Sequence, residues 1–283
     1  MAITAGIMWS LMALAVRLID EATTWQILLY RSISMIFPVS VILYSRSSKN
    51  PIIMIKKSGL PGIVGGVGLS LAFAMAIFSL QNTAAAAALF LFSVAPFIAA
   101  IMGYIFLQEK IRFRTLLAII IALLGVYVML SGGVSGESEL LGRLTALLSA
   151  FGFAVFAVSL RWGKSEDQLP TVLNAAIIST FVASIVVLFS GNSIIISVYD
   201  FLLCCFMGCL IICVGMFLFI KASPNIPSAE LTLFTMLEVV LGPLWVYIFL
   251  GEKIQILTLT GGCIVGTAVL INAFSGPNYN KGY

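Results

Sequence analysis

The chain has no histidine, and charged residues make up only 9% of its 283 positions. The first absence removes a common zinc ligand and the usual base of a nucleophile–base pair. The second removes a water-facing surface, because a soluble globular domain carries about 25% charged residues. No GxxxxGK[ST] loop is present, so any energy the chain uses must come from a solute or ion gradient or from a separate subunit. No CxxC pair occurs either.

Apolar residues fill the chain instead, at 61%. Such a composition needs the bilayer as its solvent, so the fold class expected is an all-α integral membrane protein. The net charge of +4 does not point to nucleic acid, because the basic residues form short clusters between apolar runs and no single stripe. Of Cys204, Cys205, Cys209, Cys213 and Cys263, the first four fall in one apolar run. Cys205, Cys209 and Cys213 share a helical face and read as small packing residues. No metal or cofactor is expected.

A spanning helix takes about 20 mainly apolar residues. Ten segments fit: 2–19, 24–44, 60–80, 83–107, 114–131, 141–161, 170–190, 198–220, 226–250 and 255–274. Arg17 follows the first apolar run, the wrong polarity for a cleaved signal, so this run reads as a retained helix. It begins almost at Met1, and a short leader ahead of it is an expectation that this start raises.

Basic residues in short loops set orientation. Arg46, Lys49, Lys56, Lys57, Lys110, Arg112, Arg114, Arg161, Lys164, Lys221 and Lys281 fall on one side, eleven of fifteen. Arg17, Arg143 and Lys253 fall on the other, and Arg31 lies within a span. Both termini are therefore expected in the cytoplasm, with the chain in the inner (cytoplasmic) membrane.

One phrase is written twice. Residues 104–111 read YIFLQEKI and 247–254 read YIFLGEKI, differing only at Gln108 and Gly251. The copies stand 143 positions apart, half the chain. Trp9 to Arg17 and Phe153 to Arg161 repeat the same spacing in the first helix of each half. The expected organisation is a first repeat at 1–131, a linker at 132–140, a second repeat at 141–274 and a polar tail at 275–283. Five helices per half invert the second repeat relative to the first, as in many secondary transporters.

With Trp9 in helix 1, Arg31 in helix 2, Pro96 thirteen residues before Glu109, Leu123-Leu124-Gly125-Val126 in helix 5 and Leu250-Gly251-Glu252-Lys253 closing helix 9, the chain resembles the drug/metabolite transporter superfamily. Specifically, it resembles an EamA-type protein with two EamA units over nearly its whole length. The resemblance implies a ten-helix transporter of small metabolites or amphipathic compounds, and many such relatives export amino acids. It departs from the family pattern at Val239, which stands where a proline is usual, with Pro243 nearby.

Ionisable groups inside spans are costly and mark pathways. Arg31 reads as a carboxylate or phosphate anchor, or as a side chain that snorkels to an interface. Glu238, in mid-helix, reads as a cation or proton site, or as a buried packing group. Trp9 and Pro96 complete the expected substrate and ion pathway. Glu109, Glu230 and Glu252 read as gate or helix-end residues. Trp9, Phe73, Phe78, Phe90, Phe92, Phe153 and Phe217 are candidate cavity aromatics. Pro38, Pro96 and Pro243 are expected to kink their spans. Gly62 and Gly66, Gly262 and Gly266, and the run Ala84 to Ala88 are expected to let helices pack closely.

The function expected is secondary transport by alternating access, with an amino acid-like solute exported and protons coupled. The expected partners are the lipid bilayer, a small-molecule solute, protons and a second copy of the chain. A membrane-embedded enzyme and a non-transporting receptor or assembly subunit are the rival classes. The enzyme would need a nucleophile–base pair or metal cluster, which this residue inventory scarcely supplies.

Overall fold

The computed structural model describes residues 2–47, 50–109, 113–131, 137–163, 169–191, 193–222 and 228–273. Among them the chain is helical throughout, without a strand. The order is α1 (Ala2–Arg17), α2 (Thr24–Ser47), α3 (Pro51–Lys57), α4 (Gly59–Asn82), α5 (Ala85–Phe92), α6 (Ala95–Leu107) and α7 (Phe113–Ser131). Then follow α8 (Glu137–Trp162), α9 (Leu169–Phe189), α10 (Val198–Cys205), a π-helical stretch (Phe206–Ile212), α11 (Cys213–Ala222), α12 (Ser228–Leu250) and α13 (Ile256–Ala273).

Six stretches are long and apolar enough to cross a membrane: Thr24–Arg46, Gly59–Asn82, Ala85–Leu107, Glu137–Trp162, Leu169–Phe189 and Val198–Leu218. Four shorter apolar helices accompany them: Ile3–Arg17, Thr115–Ser131, Glu238–Leu250 and Ile256–Ile271. Large apolar side chains such as Phe37, Tyr127, Phe181 and Phe189 cover the outside, the surface that lipid solvates.

Three local departures from the sequence reading have physical causes. The expected 83–107 helix is two helices, because Pro96 at the start of α6 cannot donate a backbone bond into the preceding turn. Ser93 closes α5 there, its hydroxyl donating to the Phe90 carbonyl at 2.6 Å. The expected linker 132–140 ends early: α8 starts at Glu137, with Glu137 and Glu139 in a first turn that favours carboxylates. Arg143, expected at a helix end, is therefore a turn deeper and almost fully buried, its Nη1 donating to the Met129 carbonyl at 2.8 Å. Finally, α3 forms in the basic stretch after α2. Asn50 caps it by accepting from the Ile52 N–H at 2.9 Å, and Pro51 opens it.

The most extensive helix pairs are α4 with α8, α7 with α13, α1 with α12 and α2 with α9. Each pair takes one helix from either side of the linker, so the two halves interlock. Small residues make this possible. A Cβ on Gly152 would stand 2.6 Å from the Gly68 carbonyl oxygen, and one on Gly261 would stand 2.6 Å from that of Gly125. The backbones touch at those crossings. The expected Gly262 and Gly266 pair divides: Gly262 faces the Phe90 ring, and Gly266 meets nothing within 4 Å. The α7–α13 crossing uses Gly261 instead.

Two apolar clusters fill the bundle around α2 and α4. One joins α1, α2, α4, α5 and the π-helical stretch through residues such as Ile27, Leu28, Ile77 and Met207. The other joins α2, α4 and α9 through Met35, Leu69, Val172 and Leu173. A third packs α5 and α6 against α7 and α13. Met12 and Phe73 touch both of the first two clusters.

Candidate functional site

The doubled phrase ends its helix the same way twice. Gln108 (φ 56°) and Gly251 (φ 68°), the only differing residues, both take the left-handed conformation that closes helices. Gly251 does so without steric cost, whereas a side chain there costs roughly 1–2 kcal/mol. The turn at Gln108 is completed by Glu109, whose N–H donates to the Gly103 carbonyl at 3.2 Å.

Each turn presents its glutamate to an arginine of the other half. Glu252 Oε2 lies 3.1 Å from Arg17 Nη2, and Glu109 Oε2 lies 2.6 Å from Arg161 Nη1. Arg17 and Arg161 stand eight positions after Trp9 and Phe153, each in the first helix of its half. The pairs lie at opposite ends of the Ala85–Leu107 stretch, 23 residues or about 34 Å of helix. At one end Arg17 Nη2 also donates to the Thr83 carbonyl at 2.7 Å, and Glu252 Oε1 accepts the Ala85 N–H at 2.8 Å. That N–H is one of the free donors at the start of α5. At the other end Arg161 Nη2 donates to the Ala99 carbonyl at 3.2 Å.

The two glutamates take different paths because of the residue before each phrase. A Cβ on Gly103 would stand 2.5 Å from Glu109 Oε2, so that carboxylate folds back over its own helix. Val246 occupies the corresponding place in the second copy and is buried. Glu252 therefore reaches out to α5.

Asp200, a residue the sequence reading passed over, secures the loop after Arg17. It is fully buried at the start of α10 and accepts the N–H groups of Asp20, Glu21 and Ala22 at 3.2, 3.2 and 3.0 Å. The pattern Ser197-x-x-Asp200 is a capping signal legible in the sequence, and Ser197 does accept the Asp200 N–H at 3.0 Å. The carboxylate's partners come from a distant loop, which the local pattern does not reveal.

Between these ends lie the other expected pathway residues. Arg31 is 2% exposed, about 10 Å into α2 from its start, with its guanidinium carbon 4.5 Å from the centre of the Phe73 ring. Glu238 is half-buried about 18 Å before the end of α12. Its neighbours one and two turns on are Gly242, against Leu89 of α5, and Trp245, whose Nε1 donates to Ser10 Oγ at 2.9 Å. Glu238 thus shares the face that α12 turns toward α1 and α5. Arg31 and Glu238 form no ion pair with each other. Trp9 is half-buried against Gly215 of α11, where a Cβ would stand 2.5 Å from the indole Nε1. Pro96 marks the break in the Ala85–Leu107 stretch. Glu230 is in the first turn of α12, and its side chain lies outside the described residues.

The cysteine face packs against α2. Cys209 Sγ donates to the Ser34 carbonyl at 3.1 Å and Cys213 Sγ to that of Met35 at 3.9 Å. Among the other aromatics, Phe92 and Phe153 meet edge to face at 5.6 Å, between α5 and α8.

Apolar helices in a lipid-solvated shell, with a few charges held at the bundle ends and Arg31 buried within its span, define a multi-pass membrane protein. The particular family follows from comparison with known proteins. The model of the EamA-like transporter family matches residues 1–131 and 140–274, and the chain belongs to that family. It is 24% identical over 235 residues to an uncharacterized transporter of Clostridium kluyveri, covering 78% of this chain and 74% of that one. A crystal structure at 14% identity shares the fold, with a TM-score of 0.66 over 97% of this chain and 96% of that one. The protein is a membrane transporter.

Proposed function

We propose that this protein is a secondary transporter that exports a small, amino acid-like metabolite across the cytoplasmic membrane by alternating access. In this reading the four shorter apolar helices span the membrane together with the six long ones, as two inverted five-helix repeats. Both termini are cytoplasmic in this reading, which puts the Arg161 pair on the cytoplasmic side and the Arg17 pair outside.

The observation that carries the proposal is the matched pair of ion pairs at opposite ends of the bundle, each joining one half to the other. Alternating access needs two ends that close by related contacts and open in turn. An exposed ion pair, as at Arg161, is worth about 0–1 kcal/mol, and losing the partner of a half-buried one, as at Arg17, costs about 1–3 kcal/mol. Inverting a population from 1:99 to 99:1 takes about 5.5 kcal/mol. Such pairs therefore bias an end toward closure without locking it, and a bound solute can tip the balance. Because the most extensive helix contacts all cross between halves, the motion proposed is the opening of one end at a time, not separation of half from half.

Glu238, Trp9 and the break at Pro96 are assigned to the pathway between the two ends. Glu109, Glu252 and Glu230 are assigned to gating. Glu238 is the proposed proton site: among the described residues it has no ion-pair partner, and it faces the bundle interior. The family points to transport and away from catalysis.

Purified protein in proteoliposomes should give saturable flux of at least one solute from a labelled panel of amino acids and small amphipathic metabolites. Folded protein that moves none of them would contradict the proposal. Glu238→Gln should abolish flux driven by a pH gradient while sparing solute exchange; gradient-driven flux that survives the change removes Glu238 from the coupling step.

A further inference from the structure

Six arginines lie in or at the ends of the apolar helices; Arg46 is exposed, and the side chain of Arg114 lies outside the described residues. Arg17, Arg143 and Arg161 have carboxylate partners in Glu252, Glu139 and Glu109. Arg31 lies deeper in its helix and has none. Its Nε and Nη2 are buried without any hydrogen-bond partner among the described residues. Those two nitrogens lie on one edge of the guanidinium, the edge that takes a carboxylate through two parallel bonds. Phe73 covers a face of the group and leaves this edge free. Asp200, one turn before Cys204 on the facing helix, is no substitute, because both its oxygens serve the backbone N–H groups of residues 20–22.

A buried guanidinium without a counter-charge is costly, and arginine does not escape the cost by losing its proton. A structural role would have supplied a partner, as it did for the other three. The surroundings restrict what could fill the place. No second unpaired basic side chain is buried among the described residues, so one negative charge is matched and a phosphate dianion would exceed it. Phe73, on a face of the guanidinium, is only half-buried although it touches two apolar clusters, and half-buried Met12 touches the same two, so the surroundings on that face are apolar and incompletely covered. Facing Arg31 is the π-helical stretch. A Cβ on its Gly208 would stand 2.4 Å from the Arg31 carbonyl oxygen. Such π stretches frequently mark functional positions in helices.

We infer that the Nε and Nη2 edge of Arg31 docks the carboxylate of a monoanionic solute, with the solute's apolar body against Phe73 and Met12. This deepens the transport reading and rests on it. The carboxylate alone is the recognised group.

The test uses the purified full chain in nanodiscs, probed with 3-phenylpropionate, 4-methylpentanoate, 3-phenylpropionamide and inorganic phosphate. Binding is read by calorimetry and by the shift in thermal unfolding. The carboxylates should bind saturably, and the amide and phosphate should give no shift at the same concentration. Arg31→Lys keeps the charge and loses the fork, so affinity should fall at least tenfold. Arg31→Met should lose binding while unfolding, without ligand, at or above the wild-type temperature. The inference is overturned if neither carboxylate binds, if the amide or phosphate binds as well as they do, or if Arg31→Lys retains wild-type affinity. A ligand-free Arg31→Met protein that unfolds well below wild type would likewise assign Arg31 to structure. Binding with no flux in proteoliposomes would count against transport and leave the site standing. Wild-type flux in Arg31→Lys would remove the site and leave transport standing.

Discussion

The two ends of the bundle close with the same sequence phrase and differ in how firmly they hold. At the Arg17 end the paired side chains are 24% and 26% exposed; at the Arg161 end they are 43% and 41% exposed. The Arg17 end adds bonds to the Thr83 carbonyl and the Ala85 N–H, and Asp200 ties down the following loop. Among the described residues, the Arg161 end adds the longer contact to the Ala99 carbonyl. Even the turns differ, with glycine at 251 and glutamine at 108 in the same left-handed conformation. A duplicated phrase thus supplies two latches of unequal strength, and the structure is held more tightly at the Arg17 end.

That inequality can be broken from its strongest side first. Asp200→Ala leaves the Ala22 N–H buried without this partner and removes the bonds from the Asp20 and Glu21 N–H groups, at a cost of about 3 kcal/mol. Thermal unfolding in detergent should show the loss, and Asp200→Asn should restore part of it. Next, Glu252→Gln should cost about 1–3 kcal/mol, because it leaves the half-buried Arg17 without its charge partner. Glu109→Gln should cost no more than about 1 kcal/mol, because solvent replaces the lost contact at the exposed end. Equal losses in the two variants would remove the asymmetry. The smallest change sharpens it: Gln108→Gly should stabilise by about 0.5–1 kcal/mol, while Gly251→Gln should destabilise by at least as much.

Much of this was legible in the sequence, and the illegible part is of one kind. Apolar length located six helices long enough to span and four shorter apolar ones, the repeated glutamates fell just past helix ends, and Pro96 marked a break, because each depends on residues near one another in the chain. The arginine partners did not follow, although the spacings from Trp9 to Arg17 and Phe153 to Arg161 were in view. Which glutamate meets which arginine depends on how the halves interlock. The same holds for Asp200, whose capping pattern hid a second task, and for Gly68 and Gly152, which meet only once α4 lies on α8. The π-helical stretch had no signal, because cysteines every four residues suit an ordinary α-helix. Arg31 was conspicuous by its depth, but only the structure shows that its free edge is a fork.

The central claim is that each ion pair holds its own end closed. Hydrogen exchange read by mass spectrometry on Glu252→Gln and Glu109→Gln tests it directly. Glu252→Gln should speed exchange at residues 13–22 and 83–92 and slow it at 99–109 and 158–163. Glu109→Gln should do the reverse. Exchange that changes equally at both ends, or at neither, in the two variants would contradict the account.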